Sequence, residues 1–546
     1  MNNRILPKSC DSSWRDLVRP EGLKLCKERI DGWYRTWSEY VPSSYDGSQP
    51  VPLVLTVHGA AHHFAETNTA WPLVAEREGF IVVYPHCLVE GIMFNLWRDY
   101  DEDGDMPDDI RYFDELLKII QEKYNIDPER IYIQGQSNGD MMTSTYLFER
   151  GNVFAAAAPL SGPSGAYRFV SPETGEIIRA PQFPVPIIRT HGSEDLGGPS
   201  GKRGGKSCYI RPEPAVKPAI TDEMRKSKLQ AHLLIHLILW ARTNGCEKLP
   251  KLSMAGRYSW LSFPAENGCD LTFYIVEKGE HGPYLDMADN IWTYFFSRYK
   301  RVDGKVVRMD MAENTVPLDR GAIALAEGAT CAYVNNQLVS LDPEKTVMEF
   351  PVGSSAEVLT DSSDSSEESV KVSQKDSTAD SAIAESTSSK TLVVGDIFYV
   401  PAAFLPTAFP GTELILEDEG RSARLSGHGH EIQMAMGNRV IFWDGHLRDI
   451  HRILYYDDTL YVPIADIAAL YGMKYAQGRQ ACYICERGGE MSYDFAYIIR
   501  TILGTEPVLT PLDCYHAELP RIRQRDEVAD QQMFEELLEK YRQENK

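Results

Sequence analysis

Over residues 1–300 the chain alternates short apolar runs with helix-periodic stretches, and this alternation restricts the fold more than any other feature. Val51-Pro-Leu-Val-Leu-Thr-Val57 and Phe80-Ile-Val-Val-Tyr84 are continuous apolar runs. That is the pattern of a strand covered on both faces. Arg111 to Lys123 follows a helical period, with Phe113, Leu116, Leu117, Ile119 and Ile120 on its apolar stripe. Arg130-Ile-Tyr-Ile-Gln134 reads as a strand that runs into a glycine, and Val153–Leu160 and Pro186-Ile-Ile-Arg-Thr190 repeat the theme. Strands alternating with helices predict an α/β fold, a mostly parallel sheet covered by helices.

After about residue 303 the pattern changes to short strand-like pieces, several of them separated by glycine turns: Cys331–Asn335, Glu413–Glu417, Glu431–Met436 and Arg439–Trp443. Gly395-Asp-Ile-Phe-Tyr-Val-Pro-Ala-Ala-Phe-Leu405 is echoed by Asp457-Asp-Thr-Leu-Tyr-Val-Pro-Ile-Ala-Asp-Ile467. In both copies a strand ends at Tyr-Val and a proline opens a helix at its first turn. A smaller α+β module with two strand–helix units is expected here. Ser354–Lys390 is rich in Ser, Asp and Glu and lacks aromatic residues, glycine and proline. It holds too little apolar surface to offset its ordering entropy and reads as a disordered insertion. Gln524–Gln543 is charged with helical spacing and reads as a terminal helix. The expected organisation is 1–303, 304–490 with the insertion at 354–390, and a helical tail at 491–546.

With 43% apolar residues in a chain of 546, a sizeable core is available. The formal charge of −23 argues against a nucleic-acid or anionic-membrane partner, because phosphates would be repelled. The longest apolar run, around Leu233 to Trp240, is interrupted by His236 and falls short of the ~18 residues of a membrane span. Ten cysteines are too few for a disulfide scaffold. The opening residues, MNNRILPKSCDSSW, contain no apolar leader segment, which reads as cytoplasmic.

One motif carries chemistry. Gly135-Gln136-Ser137-Asn138-Gly139 lies between the strand Ile131–Gln134 and the helix-like Met141–Phe148. A serine on a strand-to-helix turn projects its hydroxyl from the sheet edge, and flanking glycines avoid collision with neighbouring backbone. The helix N-terminus offers N–H groups to a developing oxyanion. Such a serine needs a base, and the base an orienting acid. Asp195, in Thr190-His-Gly-Ser-Glu-Asp195, follows a strand, with Glu194 as the competing acid. His281 follows the strand Leu271–Val276. The order Ser137, Asp195, His281 is that of a hydrolytic triad on a parallel sheet. Ala60, after Val57-His58-Gly59, and Asn138 are the expected backbone oxyanion donors. No metal site and no organic cofactor is implied.

Asp108-Asp-Ile and Tyr124-Asn-Ile-Asp-Pro-Glu-Arg-Ile-Tyr-Ile-Gln-Gly-Gln-Ser-Asn-Gly139 are the most specific of a set of segments that also includes Pro52–Gly59, Trp71–Pro85, Phe154–Pro159 and Trp240–Cys246. Through them residues 35 to 300 resemble the polyhydroxybutyrate depolymerase and feruloyl or acetylxylan esterase group of the α/β-hydrolase superfamily. The resemblance implies Ser137 as nucleophile, His281 as base, Asp195 as acid, and Ala60 with Asn138 as oxyanion donors. It implies a polymer-derived or carbohydrate-linked ester, or a small one, as substrate (hydroxyalkanoate, feruloyl or acetyl), and leans towards an extracellular setting, against the N-terminal reading. Trp97 is a candidate for the substrate pocket, with a core position as the alternative. By the same resemblance Cys246 and Cys269 are a candidate disulfide pair. There are departures. Asp140 stands where the group has a second glycine, the approach to His281 is Lys278-Gly-Glu, and Ala60-Ala-His-His63 replaces the usual entry. A carboxylate at Asp140 suits the helix dipole but opposes negative charge on a substrate.

Residues 305 to 488 are similar to the small module named after the copper amine oxidase N-terminal domain, through the Tyr-Val-Pro units and Phe442-Trp-Asp-Gly445. This implies an appended surface or binding domain and no copper chemistry. Cys482 and Cys485 have C-x-x-C spacing without a second pair, so a structural role is expected. His428 with His430 read as turn residues, and His232 with His236 as helix-face residues. Two further functions stay open: an oligopeptidase-like serine peptidase, and a non-catalytic binding protein on a hydrolase scaffold.

Overall fold

The computed structural model describes residues 22–59, 70–87, 108–162, 170–171, 173–193, 195, 237–247, 249–279, 281–282, 284, 286–309, 319–342 and 389–506. Residues 354–388 of the Ser354–Lys390 insertion and the Gln524–Gln543 helix expected from sequence lie outside them. Within the described residues, 22–309 with Ser492–Phe495 form one compact unit, and 319–491 with 496–506 a second. No helix among the described residues is long and apolar enough to cross a membrane.

The first unit is built on a ten-stranded sheet. Its strands are β1 (Lys24–Ile30), β2 (Trp33–Tyr40), β3 (Val51–Val57), β4 (Ile81–Pro85), β5 (Ile126–Gln136), β6 (Ala156–Leu160), β7 (Ile187–Gly192), β8 (Lys251–Ala255), β9 (Tyr258–Phe263) and β10 (Leu271–Val276). They lie in the order β1-β2-β4-β3-β5-β6-β7-β10-β9-β8. The run from β4 to β10 is parallel throughout. A hairpin adds antiparallel strands at each edge. The β1–β2 turn is Asp31-Gly32, both with positive φ (53° and 79°). That is the backbone a two-residue hairpin turn needs, and Asp-Gly supplies it. Two strand bounds differ from the sequence expectation. Gly151–Val153 is a 3-10 turn closed by Phe154 N–H to the Gly151 carbonyl, so β6 starts only at Ala156. β5 begins at Ile126, through Pro128.

Helices α1 (Trp71–Glu78), α2 (Asp109–Lys123), α3 (Asn138–Arg150) and α4 (Met287–Tyr294) cover the sheet. The Asp108 side chain caps α2 by accepting from Arg111 N–H, and Ile110, Phe113, Leu116, Leu117 and Ile120 are its buried stripe. An aromatic layer packs beside the central strands: Trp71 stacks on Phe296, Phe80 on Trp292 and Tyr132 on Phe296, with centroids 5.7, 4.0 and 4.8 Å apart. Each such pair contributes about 0.5–1.5 kcal/mol beyond its buried area. Ser492–Phe495 belong to this unit although they lie far along the chain, and Asp494 pairs there with His191 at the end of β7.

The second unit is antiparallel, with three sheets and short helices. Its two echoed segments, Ile397–Pro401 and Thr459–Pro463, pair with each other, Val400 opposite Val462. The equivalent valines face one another, with Tyr399 opposite Pro463 and Pro401 opposite Tyr461, so the sequence echo is a local two-fold relation about the valine pair. The prolines do not open the helices. Pro401 and Pro463 are the residues preceding them, with extended backbone, and Pro401 pairs with Tyr461 in the ladder. Proline's restricted φ suits that extended position as well as a first helical turn. Val400, Leu405, Leu425, Ile432, Val462 and Ile464 are part of the unit's core.

Candidate active site

β5 ends at Gln136 and α3 starts at Asn138, so Ser137 alone turns the chain, with φ 59° and ψ −114°. A non-glycine residue there carries strain of about 1–3 kcal/mol, held by its surroundings. Ser137 N–H donates to the Leu160 carbonyl at 2.8 Å, and the Ser137 carbonyl accepts from Met141 N–H at 3.2 Å. The flanking glycines are dictated by contact. A Cβ on Gly135 would lie 2.1 Å from the Gly139 carbonyl oxygen, and one on Gly139 2.2 Å from that of Val57. Ser137 is half-buried at the carboxyl ends of the parallel strands, where ligands bind open α/β sheets.

Asp195 follows β7 and His281 follows β10, and these strands are neighbours, with Gly192 opposite Val276. Their loops therefore meet. A Cβ on Gly192 would stand 2.1 Å from the Gly279 carbonyl oxygen, so the approach requires glycine. His281 Nδ1 and Asp195 Oδ1 are 3.0 Å apart, the carboxylate 5% exposed and the ring 14%. An ionised carboxylate can only accept, so Nδ1 carries the proton and Nε2 is left as the basic nitrogen. Among the described residues no hydrogen bond joins the Ser137 hydroxyl to His281. Glu194, the competing acid, lies outside the described residues.

Asn138 is buried at the N-terminus of α3, where backbone N–H groups and the helix dipole favour an anion. Ala60 and Trp97 lie outside the described residues. Just before Ala60, His58 is buried at the end of β3. Its Nε2 accepts from Cys87 N–H at 3.0 Å, so its proton sits on Nδ1 and donates to the Gly59 carbonyl at 2.7 Å. The loop after β3 is thereby tied to the end of β4.

Asp140 is not a bare charge at the helix N-terminus. Its carboxylate accepts from Gly162 N–H at 2.7 Å and from Ser144 Oγ at 3.1 Å, and pairs with Arg189 at 3.0 Å. Burial pushes this carboxyl above its ordinary range, and the Arg189 cation acts against that shift. The expectation that Asp140 opposes substrate charge is corrected by this pairing, since Arg189 compensates it. Arg189 was not among the candidates from sequence. Its signal was there: an arginine inside the apolar strand Ile-Ile-Arg-Thr must find a buried counter-charge.

Cys246 and Cys269 are free thiols, with the Cys246 thiol 3.8 Å from the Cys269 carbonyl, so they are not the pair that the resemblance implied. Cys482 and Cys485 are both buried in one strand, and Cys485 Sγ accepts from Gly488 N–H at 3.2 Å. His428 Nε2 lies against the Pro410 carbonyl at 2.9 Å and His430 Nδ1 against Asp444 at 2.7 Å. His232 and His236 lie outside the described residues.

Residues 36–169 match the family model described as Esterase PHB depolymerase. A bifunctional acetylxylan esterase/xylanase of Neocallimastix patriciarum is 33% identical over 172 residues, 31% of this chain and 22% of that protein. Feruloyl esterase B of Piromyces equi is 24% identical over 44% of this chain and 41% of its own. Poly(3-hydroxyalkanoate) depolymerase C of Paucimonas lemoignei is 27% identical over 45% of this chain and 58% of its own. The chain thus spans less than two thirds of the length of each of these relatives. Among solved structures, acetyl xylan esterase from Aspergillus awamori matches 50% of this chain and 99% of its own, at 16% identity and a TM-score of 0.35. With its parallel sheet, serine elbow and matched segment, the N-terminal unit has the α/β-hydrolase fold, and over residues 36–169 it is similar to the Esterase PHB depolymerase family.

Proposed function

We propose that the N-terminal unit is a serine carboxylic-ester hydrolase acting through Ser137, His281 and Asp195. The observation that carries this reading is the His281 Nδ1–Asp195 Oδ1 contact at 3.0 Å, on the same sheet end as a serine held at φ 59°. Ser137 Oγ attacks the ester carbonyl while His281 Nε2 takes its proton. Asp195 holds the ring in the tautomer that exposes Nε2. The tetrahedral oxyanion is received by the backbone N–H groups of Asn138 and Ala60. Collapse expels the alcohol, protonated by His281, and leaves an acyl-enzyme. Water, activated by His281, then releases the acid and restores Ser137.

The substrate class is a polymer-derived or small ester, hydroxyalkanoyl, feruloyl or acetyl, in keeping with the names of the similar proteins. In this reading residues 1–303 form the hydrolase domain and 304–490 an appended α+β module; of the expected tail at 491–546, Ser492–Phe495 pack with the first unit and 496–506 with the second. The test is fluorophosphonate labelling of the folded chain together with p-nitrophenyl acetate turnover by wild type and Ser137→Ala. Labelling at Ser137 and loss of turnover in the variant are expected. Turnover that survives Ser137→Ala would sink the reading.

A further inference from the structure

The residue after the histidine is held on both of its polar groups. Gln136, immediately before Ser137 and itself buried, donates from Nε2 to the Gly282 carbonyl. Ser161, in the loop after β6, accepts at Oγ from Gly282 N–H at 3.4 Å. Gly282 cannot rotate away from this grip without breaking one bond or the other. The Gln136 amide also lies against the loop after β3, since a Cβ on Gly59 would come within 2.8 Å of its Oε1. One side chain thus touches the loop that precedes Ala60 and the loop that carries His281.

Ser161 is fixed in turn. It is 2% exposed and has φ 55°, in the left-handed region that a serine occupies only under constraint. Its N–H donates to the Thr190 carbonyl at 3.0 Å. The next peptide is gripped in the same double fashion. Gly162 N–H donates to Asp140, and the Gly162 carbonyl accepts from Arg189 Nη2 at 2.8 Å. A Cβ on Gly162 would lie 2.4 Å from the Asp140 carboxyl carbon, so glycine is required for this approach. The buried Asp140–Arg189 pair therefore holds the Ser161–Gly162 turn in place, and that turn presents the hydroxyl to Gly282.

Resting on the Ser137–His281–Asp195 reading, we propose that Gln136 and Ser161 are positioning residues for His281, acting through Gly282, with Asp140 and Arg189 fixing Ser161. A base displaced by about 1 Å loses on the order of 10²-fold in rate. The strain at Ser161 supplies a test that separates positioning from stability. Glycine at 161 relieves the left-handed backbone and removes the hydroxyl, so a purely structural role predicts an unimpaired enzyme.

The experiment measures kcat, KM, the rate of fluorophosphonate labelling and Tm for the full chain and for Ser161→Gly, Gln136→Met and Ser137→Ala. Ser161→Gly is expected to keep or raise Tm, to leave KM for p-nitrophenyl acetate within about twofold, and to lower kcat and the labelling rate together by roughly 10- to 100-fold. Gln136→Met, which keeps the volume and removes the donor, is expected to lower both rates in the same way. Rates within twofold of wild type in both variants would overturn the proposal, as would a rate loss in Ser161→Gly accompanied by a fall in Tm. Survival of activity in Ser137→Ala overturns the ester-hydrolase reading instead, so the two failures are distinct.

Discussion

His281 Nδ1 lies 3.0 Å from Asp195 Oδ1 although the two residues are 86 positions apart in sequence. They meet because their loops leave adjacent parallel strands at the same end. If Asp195 orients the imidazole, Asp195→Asn leaves the fold intact and stabilises the wrong tautomer. The expected result is a kcat for aryl esters lower by about 10⁴-fold with an unchanged circular dichroism spectrum. A loss under tenfold would assign the orienting role elsewhere.

Gly139→Ala places a Cβ 2.2 Å from the Val57 carbonyl oxygen, a backbone atom that cannot swing aside. The elbow must shift, so stability is expected to fall by about 1–3 kcal/mol and ester hydrolysis with it. Gly245→Ala is the contrast. That residue has φ +67° and nothing near its would-be Cβ, so only the left-handed strain of about 1–2 kcal/mol is expected, with kcat unchanged. Denaturant melts and kinetics on both variants check the pair.

Glu39 predicts a pH signature. It is buried on β2 and accepts from Lys123 Nζ at 2.6 Å, Tyr124 OH at 2.7 Å and Trp37 Nε1 at 2.8 Å. Burial raises its pKa, but the three hydrogen bonds and the Lys123 charge outweigh it, leaving the group below its ordinary 4.5. A lowered folded value means that its stabilisation is present above pH 4.5 and is lost as pH falls through the lowered value. Glu39→Gln is expected to cost about 1–3 kcal/mol at pH 7, and the gap to wild type should close below pH 4.5. Urea melts at pH 7 and pH 3 decide it; an equal gap at both would refute the account.

Cys246, half-buried, and Cys269, buried, should behave as free thiols. Burial pushes both up to about 12, so alkylation of the native protein at pH 8 is expected to be slow at each. In denaturant without reductant both should alkylate fully, as read by peptide mass spectrometry. A disulfide-linked peptide pair would contradict the free-thiol arrangement.

Much of the hydrolase fold was legible in the chain itself. Continuous apolar runs such as Val51–Val57 declare strands covered on both faces, and Gly135–Gly139 between strand and helix declares the elbow at Ser137. These are local matters of side-chain period and of backbone clearance, so short windows of sequence contain them. Asp31-Gly32 is equally local, since its turn chemistry sets an antiparallel hairpin at the sheet edge.

What the tertiary structure alone decided is which distant groups meet. The His281–Asp195 contact depends on β10 lying next to β7, an order that no window of sequence contains. Asp140 read as a charge at a helix N-terminus became the buried partner of Arg189, because packing turned its carboxylate towards Arg189 and Gly162. The two Tyr-Val-Pro echoes turned out to be partners in one ladder. Period and turn chemistry act over a few residues, and so determine the elements. Burial and charge compensation act between elements, so the surroundings of His281 and Asp140 exist only once the sheet has assembled.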